Sequence, residues 1–506
     1  MPTLNVTVVD RSAERVEAWN SVHLPFVEPG LEEIILSTRV CLPQPSSPRV
    51  DECSLDGSIQ QQRTNLVFST DIAKQIREAE LIFLAVDTPA GPSRPHEGAI
   101  PDLSNFEAAV QQVLANVQRD FILVIRSTVP CGTADLVKQR CDSTLPTHIR
   151  CQVLSNPEFM AEGSAVQDLL DPDRVVIGCN STEGGFAAAR KLARLYSMWA
   201  PKDRIITIST RSAELAKLSA NTILAQRIST INAISAVCEK VGADITEVSR
   251  ACGMDHRIGP HMLQASPGFG GSCFRKDVLH LASTAGDHGL SKVAEHFGSI
   301  IDINQDQTER FVERIAQMLP TEGKCTTIAV LGIAFKEGTS DTRESTAITI
   351  VAALANKGYR IRIFDPLVRP EQVRQDLNIT IKECSPFVRE AVEAAGSLFE
   401  ACKGAHAIAV INGWEALRHD LSDRPPLQPC DSCKIFSEEA STYSEEAEGS
   451  PDSSKHTPYH VEADGVRWAA VAKSMNAPRL IFDGRRILSP TIEKHGFQLH
   501  GLGRCR

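Results

Sequence analysis

Short apolar runs closed by a polar residue or glycine, with stretches of helical periodicity between them, recur along this chain. Leu4 to Val9 is the first such run, β-branched and closed by Asp10, and Arg11 to Trp19 after it has helical composition. Further strands are predicted at 65–69, 81–86, 121–126, 151–154 and 174–178, with helical stretches among them such as 105–118. Strands that alternate with helices predict a parallel, doubly wound sheet. The longest helical pattern spans 212–242, with Ser212 as its expected N-cap and Leu215 where a full capping box has Glu. Beyond it, runs at 326–331 and 360–364 repeat the plan of the beginning, the second closed by Asp365, and 407–411 and 480–482 supply later strands. The fold class is therefore α/β: two Rossmann-like, doubly wound parallel-sheet domains joined by a central helical domain with a long helix. The domains are expected at 1–209, 210–322 and 323–506.

Two stretches break this pattern. Residues 40–63 are rich in Pro, Ser and Gln, and 424–464 in Pro, Ser and Glu with an acidic run at 437–452. Such composition buries too little apolar surface to order itself, so both read as flexible insertions. The second holds Cys430-Asp431-Ser432-Cys433, a single pair without a second pair or a histidine at finger spacing, so no metal site is predicted. The 53 Lys and Arg against 63 Asp and Glu give a formal net charge of -10, which argues against a broad nucleic-acid footprint. Fifteen cysteines at irregular spacing in apolar segments read as reduced thiols. With no long apolar window and no signal-like N-terminus, a cytoplasmic location and no membrane association are expected.

Candidate chemistry centres on Gly268-Phe269-Gly270-Gly271-Ser272-Cys273-Phe274-Arg275-Lys276-Asp277, a cysteine among glycines and charges. Glycines let a loop approach a ligand closely, and Lys276 favours the thiolate, the form that attacks carbon. On the long helical pattern Lys217 and Asn221 stand four apart and share a face, from which two donors can meet one oxyanion. Asp10, at the end of a strand, occupies the place of the carboxylate that receives an adenosine ribose in dinucleotide-binding βαβ units. The turn 332–338 lacks Gly-x-Gly-x-x-Gly spacing, so the second Rossmann-like unit is expected to hold something other than a dinucleotide.

With Trp19-Asn20-Ser21, Glu28-Pro29-Gly30-Leu31, Asp87-Thr88-Pro89, Ser127-Thr128-Val129-Pro130, Asn156-Pro157-Glu158-Phe159-Met160-Ala161-Glu162-Gly163, Phe335-Lys336, Asp341-Thr342-Arg343-Glu344-Ser345 and Phe482-Asp483-Gly484-Arg485-Arg486 in this order, the chain resembles the UDP-glucose 6-dehydrogenases. The resemblance implies oxidation of UDP-glucose to UDP-glucuronate by two NAD+, through a thiohemiacetal and a thioester on Cys273. It implies that Lys217 and Asn221 face the oxyanion, Asp277 orders the proton or water beside Lys217, Glu158 is the base for thioester hydrolysis and Thr128 positions the water. For NAD it implies Asp10, Arg15, Val86, Asp87, Thr88, Pro89, Ala90, Ser127, Glu162, Lys276 and Arg343. For the nucleotide sugar it implies Phe159, Met160, Ala161, Arg257, Gln264, Ala265, Ser266, Pro267, Gly268, Phe269, Gly270, Phe335, Lys336 and Arg485. The three domains become an NAD-binding domain, a central dimerisation domain and a UDP-sugar-binding domain, in a homo-oligomer that is a dimer or a hexamer. In one respect the chain departs: the family begins with a strand and a Gly-x-Gly-x-x-Gly turn ahead of the position of Asp10, and neither precedes Asp10 here. A non-catalytic or NAD-binding-deficient nucleotide-sugar-binding subunit is the alternative this leaves open.

Overall fold

The computed structural model describes residues 4–21, 24–26, 28–38, 65–94, 98–319, 326–380, 391–422 and 465–504. The Cys430–Cys433 pair and both expected insertions lie outside the described residues. The chain forms two compact units, residues 1–226 with 272–302 and residues 227–271 with 303–506.

In the first unit, β1 (Val6–Val9) leads through α1 (Ala13–Asn20) and α2 (Leu31–Thr38) to β2 (Leu66–Ser69), and β1 pairs with β2 in parallel. Ser12 caps α1 by accepting the Arg15 N–H, and Trp19 stacks on Phe68 at 5.3 Å. α3 (Ile72–Glu78) then crosses to β3 (Leu81–Leu84). A short antiparallel hairpin, β4 (Ala90–Arg94) and β5 (Gly98–Pro101), precedes α4 (Ser104–Asn116). β6 (Phe121–Ile125), α5 (Thr133–Thr144), β7 (Cys151–Ser155), α6 (Ala165–Leu170), β8 (Val175–Cys179), α7 (Glu183–Tyr196) and β9 (Ile205–Ser209) complete a sheet of order β3-β6-β7-β8-β9.

β6 is buried throughout, and its alternate residues serve opposite faces, as strand geometry requires. Leu123 and Ile125 join Phe106, Val110 and Val137 under α4 and α5, whereas Ile122 and Val124 join Leu192 and Tyr196 under α7. The sheet is parallel except where β8 meets β7, an antiparallel step at Ser155 and Gly178.

β9 runs without a loop into α8 (Thr210–Val241). Ser212 is therefore inside the helix rather than its cap; the hydroxyl of Ser209 accepts the Ser212 N–H at 3.2 Å, doing that work three residues earlier. α8 continues into the second unit, where α9 (Ile245–Gly253) follows. α10 (Ser272–Asp287) belongs to the first unit, and α11 (Ser291–Met318) begins there.

The second unit carries a fully parallel sheet. Its strands β10 (Thr327–Leu331), β11 (Arg360–Phe364), β12 (Val392–Ala394), β13 (Ala407–Val410), β14 (Leu480–Asp483) and β15 (Gln498–Gly501) lie in the order β12-β11-β10-β13-β14-β15. α12 (Thr346–Asn356), capped by Ser345, and α13 (Pro370–Thr380) flank β11 in sequence, and α14 (Leu398–Cys402) and α15 (Trp468–Ser474) come later. Ile328 and Val330 of β10 face Ile350, Val351 and Leu354, whereas Ala329 and Leu331 face Trp468 and Val471. Layers on both sides explain why these strands read as unbroken apolar runs.

Candidate active site

The carboxyl ends of β3 and β6 are joined by side chains. The Ser127 hydroxyl donates to the Val86 carbonyl at 2.7 Å and accepts the Val86 N–H at 2.9 Å. Buried Thr88 donates to the Thr128 carbonyl at 2.8 Å, and Lys276 of α10 donates to the Thr88 carbonyl at 3.3 Å. Val86, Asp87, Thr88 and Pro89 thus form one turn with Ser127 and Thr128, at the end of the sheet where open α/β folds receive ligands, and Ala90 opens β4.

β7 delivers the next group. Asn156, fully buried, donates to the Val176 carbonyl at 2.8 Å and accepts the Tyr196 hydroxyl at 2.6 Å and Arg126 at 3.2 Å. That anchor presents Glu158 to Lys217, with Nζ to Oε1 at 2.8 Å, and Met160 N–H donates to Glu158 Oε2 at 2.9 Å. One turn along α8, Asn221 donates to Asp277 Oδ2 at 2.6 Å. The shared face expected of Lys217 and Asn221 is present, and each grips a carboxylate.

Asp277 is 1% exposed, and its Oδ1 has no partner among the described residues. Cys273 lies one helical turn before Asp277 on α10, on the same face. It does not stand in a glycine-rich loop: the glycines end at Gly271, and Cys273 is the second residue of a helix whose N-terminus favours a thiolate.

Charges in this cluster are tuned against one another. The Cys273 side chain is exposed, but desolvation by the groups around its thiol, with the charge of Asp277 adding to it, holds that thiol above its ordinary value, while Lys276 and Lys217 pull it down. Burial raises Asp277, against Lys276 and the Asn221 hydrogen bond. Burial also opposes ionisation of Glu158, but the Lys217 charge and hydrogen bond outweigh it and keep this carboxyl below the usual range. A base that stays ionised and an acid that resists ionisation therefore sit on the two donors of one helix face.

Phe159 lies under the Arg174 guanidinium at 4.1 Å, with Lys217 Nζ 5.6 Å from the same ring. With Met160 and Ala161 it lines a cavity of about 520 Å³ that also takes in Asn156 and Tyr196. Exposed Glu162 follows on a loop held by buried Glu28, which accepts the N–H groups of Gly163 at 2.9 Å and Ala165 at 2.6 Å. Asp10 accepts the Ser12 N–H at 2.8 Å, with Arg15 3.7 Å away.

Glu214, which carries no signal in the sequence, lies buried on α8 and accepts the Gly132 and Ala134 N–H groups at 2.6 and 2.7 Å, capping α5 beyond Thr128. Burial lifts its carboxyl to about 7, despite those two bonds. The sign follows directly: the folded protein holds this proton more tightly than the unfolded chain. Its contribution, about 3 kcal/mol, is therefore full below pH 4.5 and is lost as pH rises through about 7. Chemical denaturation across that window is expected to show this slope in the native protein and to lose it in Glu214→Gln.

In the second unit, residues 264–270 form a loop whose residues 265–269 are buried. Asn232 Oδ1 accepts the Ser266 N–H at 2.9 Å, and Gln307 and Thr308 donate to the Ser266 and Pro267 carbonyls, both at 2.8 Å. Asn304 holds Phe269 at both ends, accepting its N–H at 2.7 Å and donating to its carbonyl at 3.0 Å. Ala265 and Gly268 are enclosed with them, and a side chain on Gly270 would strike the Glu344 carbonyl. Gln264 donates to the Arg485 carbonyl at 2.8 Å, and the Arg485 guanidinium donates to the Ile411 carbonyl at 2.9 Å. The Phe335 ring lies against Gly271, where a Cβ would come within 2.8 Å of it, and Lys336 Nζ is 5.6 Å from that ring.

Loop 264–270, Phe335 and Arg485 are thus brought together. Arg257 and Arg343 are exposed instead and pair with Asp255 and Asp341, each at 2.6 Å. Gly271 has φ of 89°, so Gly271→Ala meets both backbone strain and the Phe335 ring. A loss of about 1–3 kcal/mol in urea denaturation is expected.

Residues 37–200 match the NAD binding domain of the UDP-glucose/GDP-mannose dehydrogenase family, 211–306 its central domain and 329–427 its UDP binding domain. The UDP-glucose 6-dehydrogenase of Drosophila melanogaster is 37% identical over 505 residues, covering 99% of this chain and 92% of the relative. UDP-glucose 6-dehydrogenase 2 of Oryza sativa subsp. japonica is 41% identical over 515 residues, with the same coverage. The chain belongs to the UDP-glucose/GDP-mannose dehydrogenase family. The fold of this dehydrogenase agrees with a UDP-glucose dehydrogenase structure from Pyrobaculum islandicum, at TM-score 0.71, 23% identity and coverage of 99% of this chain and 92% of that one.

NAD is the cofactor of the family's first domain, and the dehydrogenase suits it in part. Asp10 offers a carboxylate to a ribose, and the turn 86–89 with Ser127 and Lys276 lies at the ligand-binding end of the sheet. Beside Asp10, however, the described residues include no glycine-rich turn entering a helix, the element that cradles a dinucleotide pyrophosphate. No helix among the described residues is long and apolar enough to cross a membrane.

Proposed function

We propose that this chain oxidises UDP-glucose to UDP-glucuronate through covalent intermediates on Cys273. The observation that carries this is the pair of carboxylate grips on one helix face, Lys217 to Glu158 and Asn221 to Asp277, with Cys273 a turn from Asp277 on α10. The names and extents of the relatives support the substrate and the cofactor.

NAD+, when bound, would supply the hydride acceptor for each of two oxidations at C6. In the first, the C6 hydroxyl proton passes to Glu158 beside the Lys217 ammonium and from there to solvent, which restores the carboxylate, and an aldehyde results. The Cys273 thiolate adds to the aldehyde carbon, and the new oxyanion lies against the Lys217 ammonium and the Asn221 amide. Loss of the second hydride leaves a thioester. Water positioned by Thr128 then gives a proton to Glu158 and adds to the thioester carbonyl. The C–S bond breaks, the thiolate returns and the product is a carboxylate. Asp277 orders the proton and water beside Lys217. In the second unit Arg485 and Lys336 supply cations for the diphosphate, and loop 264–270 with Phe335 supplies apolar surface. Asp10 accepts a 2′-hydroxyl, which favours NAD+ over its phosphorylated form.

Leu215, Ile223, Val237 and Val241 are exposed and fall on one side of α8 at helical spacing, which supports a homo-oligomer built along that helix. The described cysteines are all free, which supports a reducing compartment such as the cytoplasm. The reading is tested by product stoichiometry. Two NADH per UDP-glucuronate are expected, by absorbance and chromatography; one NADH with free aldehyde rejects the covalent route. UDP-glucose binding with no NADH assigns a nucleotide-sugar-binding role instead.

A further inference from the structure

Loop 264–270 is held by a line of groups that begins well away from it. On α11, Gln307, Arg310 and Arg314 recur at spacings of three and four and share one face of the helix. Glu239, near the end of α8, meets that face. Its Oε2 accepts Arg310 at 2.8 Å, and its Oε1 accepts Arg314 at 3.0 Å and the Gly503 N–H after β15 at 2.8 Å. The helices α8 and α11 and the turn after β15 thus meet at one carboxylate, which fixes the Arg310 guanidinium.

The other arm of the Arg310 fork points inward. Its Nη1 donates to Gln307 Oε1 at 2.6 Å, and Gln307 Nε2 donates to the Ser266 carbonyl at 2.8 Å. Asn232 Oδ1 accepts the Ser266 N–H at 2.9 Å, so Ser266 is gripped at both its N–H and its carbonyl. Gln307 and Ser266 are each 2% exposed, and in such a place a lost or mismatched partner is costly. A guanidinium can only donate, whereas an amide accepts at one end and donates at the other. Arg310 therefore takes the oxygen of the Gln307 amide and leaves the nitrogen for the loop. Turned by half a rotation, the same amide would set its oxygen against the Ser266 carbonyl, two acceptors in contact at a buried site. What separates the two orientations is Arg310, and Glu239 holds Arg310 in place.

We propose that Arg310 is a positioning residue for the nucleotide sugar: held by Glu239, it decides which end of the Gln307 amide meets Ser266 and so sets how tightly loop 264–270 is held. It acts through Gln307 and the loop and takes no part in the chemistry. The grip on the loop stands on the hydrogen bonds alone; its effect on ligand affinity rests on the reading of loop 264–270 as a nucleotide-sugar contact.

Two measurements on the whole chain test it: hydrogen exchange by mass spectrometry, comparing the peptide 263–271 with β10 and β13, and UDP-glucose affinity by calorimetry. In Arg310→Met the loop peptide is expected to exchange about tenfold faster while both strands keep their native rates, and the Kd for UDP-glucose rises about five- to tenfold. Gln307→Glu, read at pH 8, is the decisive variant. It keeps the contact with Arg310, now charge-assisted, but turns an acceptor toward the Ser266 carbonyl, so it is expected to loosen the loop as much as Arg310→Met does. A purely structural role for the Arg310 contact would leave this variant tight. A loop as protected as the native one in either variant overturns the inference, and so does faster exchange spread equally over loop and strands, which marks a general loss of stability. A loosened loop with unchanged UDP-glucose affinity supports the positioning of the loop and counts against its reading as a nucleotide-sugar contact.

Discussion

Cys273→Ser is expected to lower UDP-glucuronate formation by on the order of a thousandfold or more, while UDP-glucose binding by calorimetry stays within about twofold. On the proposed covalent route, a serine hydroxyl at this helix end remains protonated and cannot hold the aldehyde for the second oxidation. The native enzyme has a related signature in pH. Local desolvation and Asp277 hold the thiol above its ordinary value of 9.0, so the thiolate is a minority species at neutrality. Each unit of pH above 7 therefore raises its fraction about tenfold until the thiol titrates. Single-turnover acid formation, read by quenched flow, is expected to climb through that range. A flat profile, or a serine variant that still forms acid at the native rate, removes Cys273 from the chemistry.

The parts of this molecule that were legible in the sequence are those whose signal is local. β10, β11, β13 and β14 are buried on both faces and read as apolar runs with ends correct to within a residue or so. The common face of Lys217 and Asn221 follows from helical spacing alone, and the structure gives each a carboxylate. What was missed lacks such a signal. β4 is built of Ala90, Gly91, Pro92, Ser93 and Arg94, a loop composition, and β9 passes straight into α8 with no turn residue to mark it. Asn232, Asn304, Gln307 and Thr308 hold loop 264–270 from elements distant in sequence, so no window of sequence contains both donor and acceptor. Glu214 is the sharpest example, since an acidic residue inside a helix reads as a solvated face until its burial against Gly132 and Ala134 is seen.

Lys217→Met is expected to cost both stability and rate. The ammonium is nearly buried, with 6% of its side chain exposed, and its partner Glu158 is at 27%. Removing one member of a buried pair leaves the other charge uncompensated. The cost, discounted for the partial exposure of Glu158, is about 2 kcal/mol. Turnover is expected to fall further, by about 10²–10³, because on the proposed mechanism the variant loses a donor to the oxyanion. The two losses separate by pH. With Lys217 present, Glu158 is held below its ordinary value of 4.5, so the pair contributes stability above that pH and loses it as pH falls through the lower folded value. Without Lys217 burial dominates and Glu158 rises. The stability difference between native and variant proteins, measured in urea, is then full near pH 7 and shrinks below pH 4.5, whereas the loss of turnover persists wherever both are folded. A stability difference independent of pH between 3 and 7 would show that Glu158 does not depend on Lys217 for its charge, and the assignment of Glu158 as the hydrolytic base would fall with it.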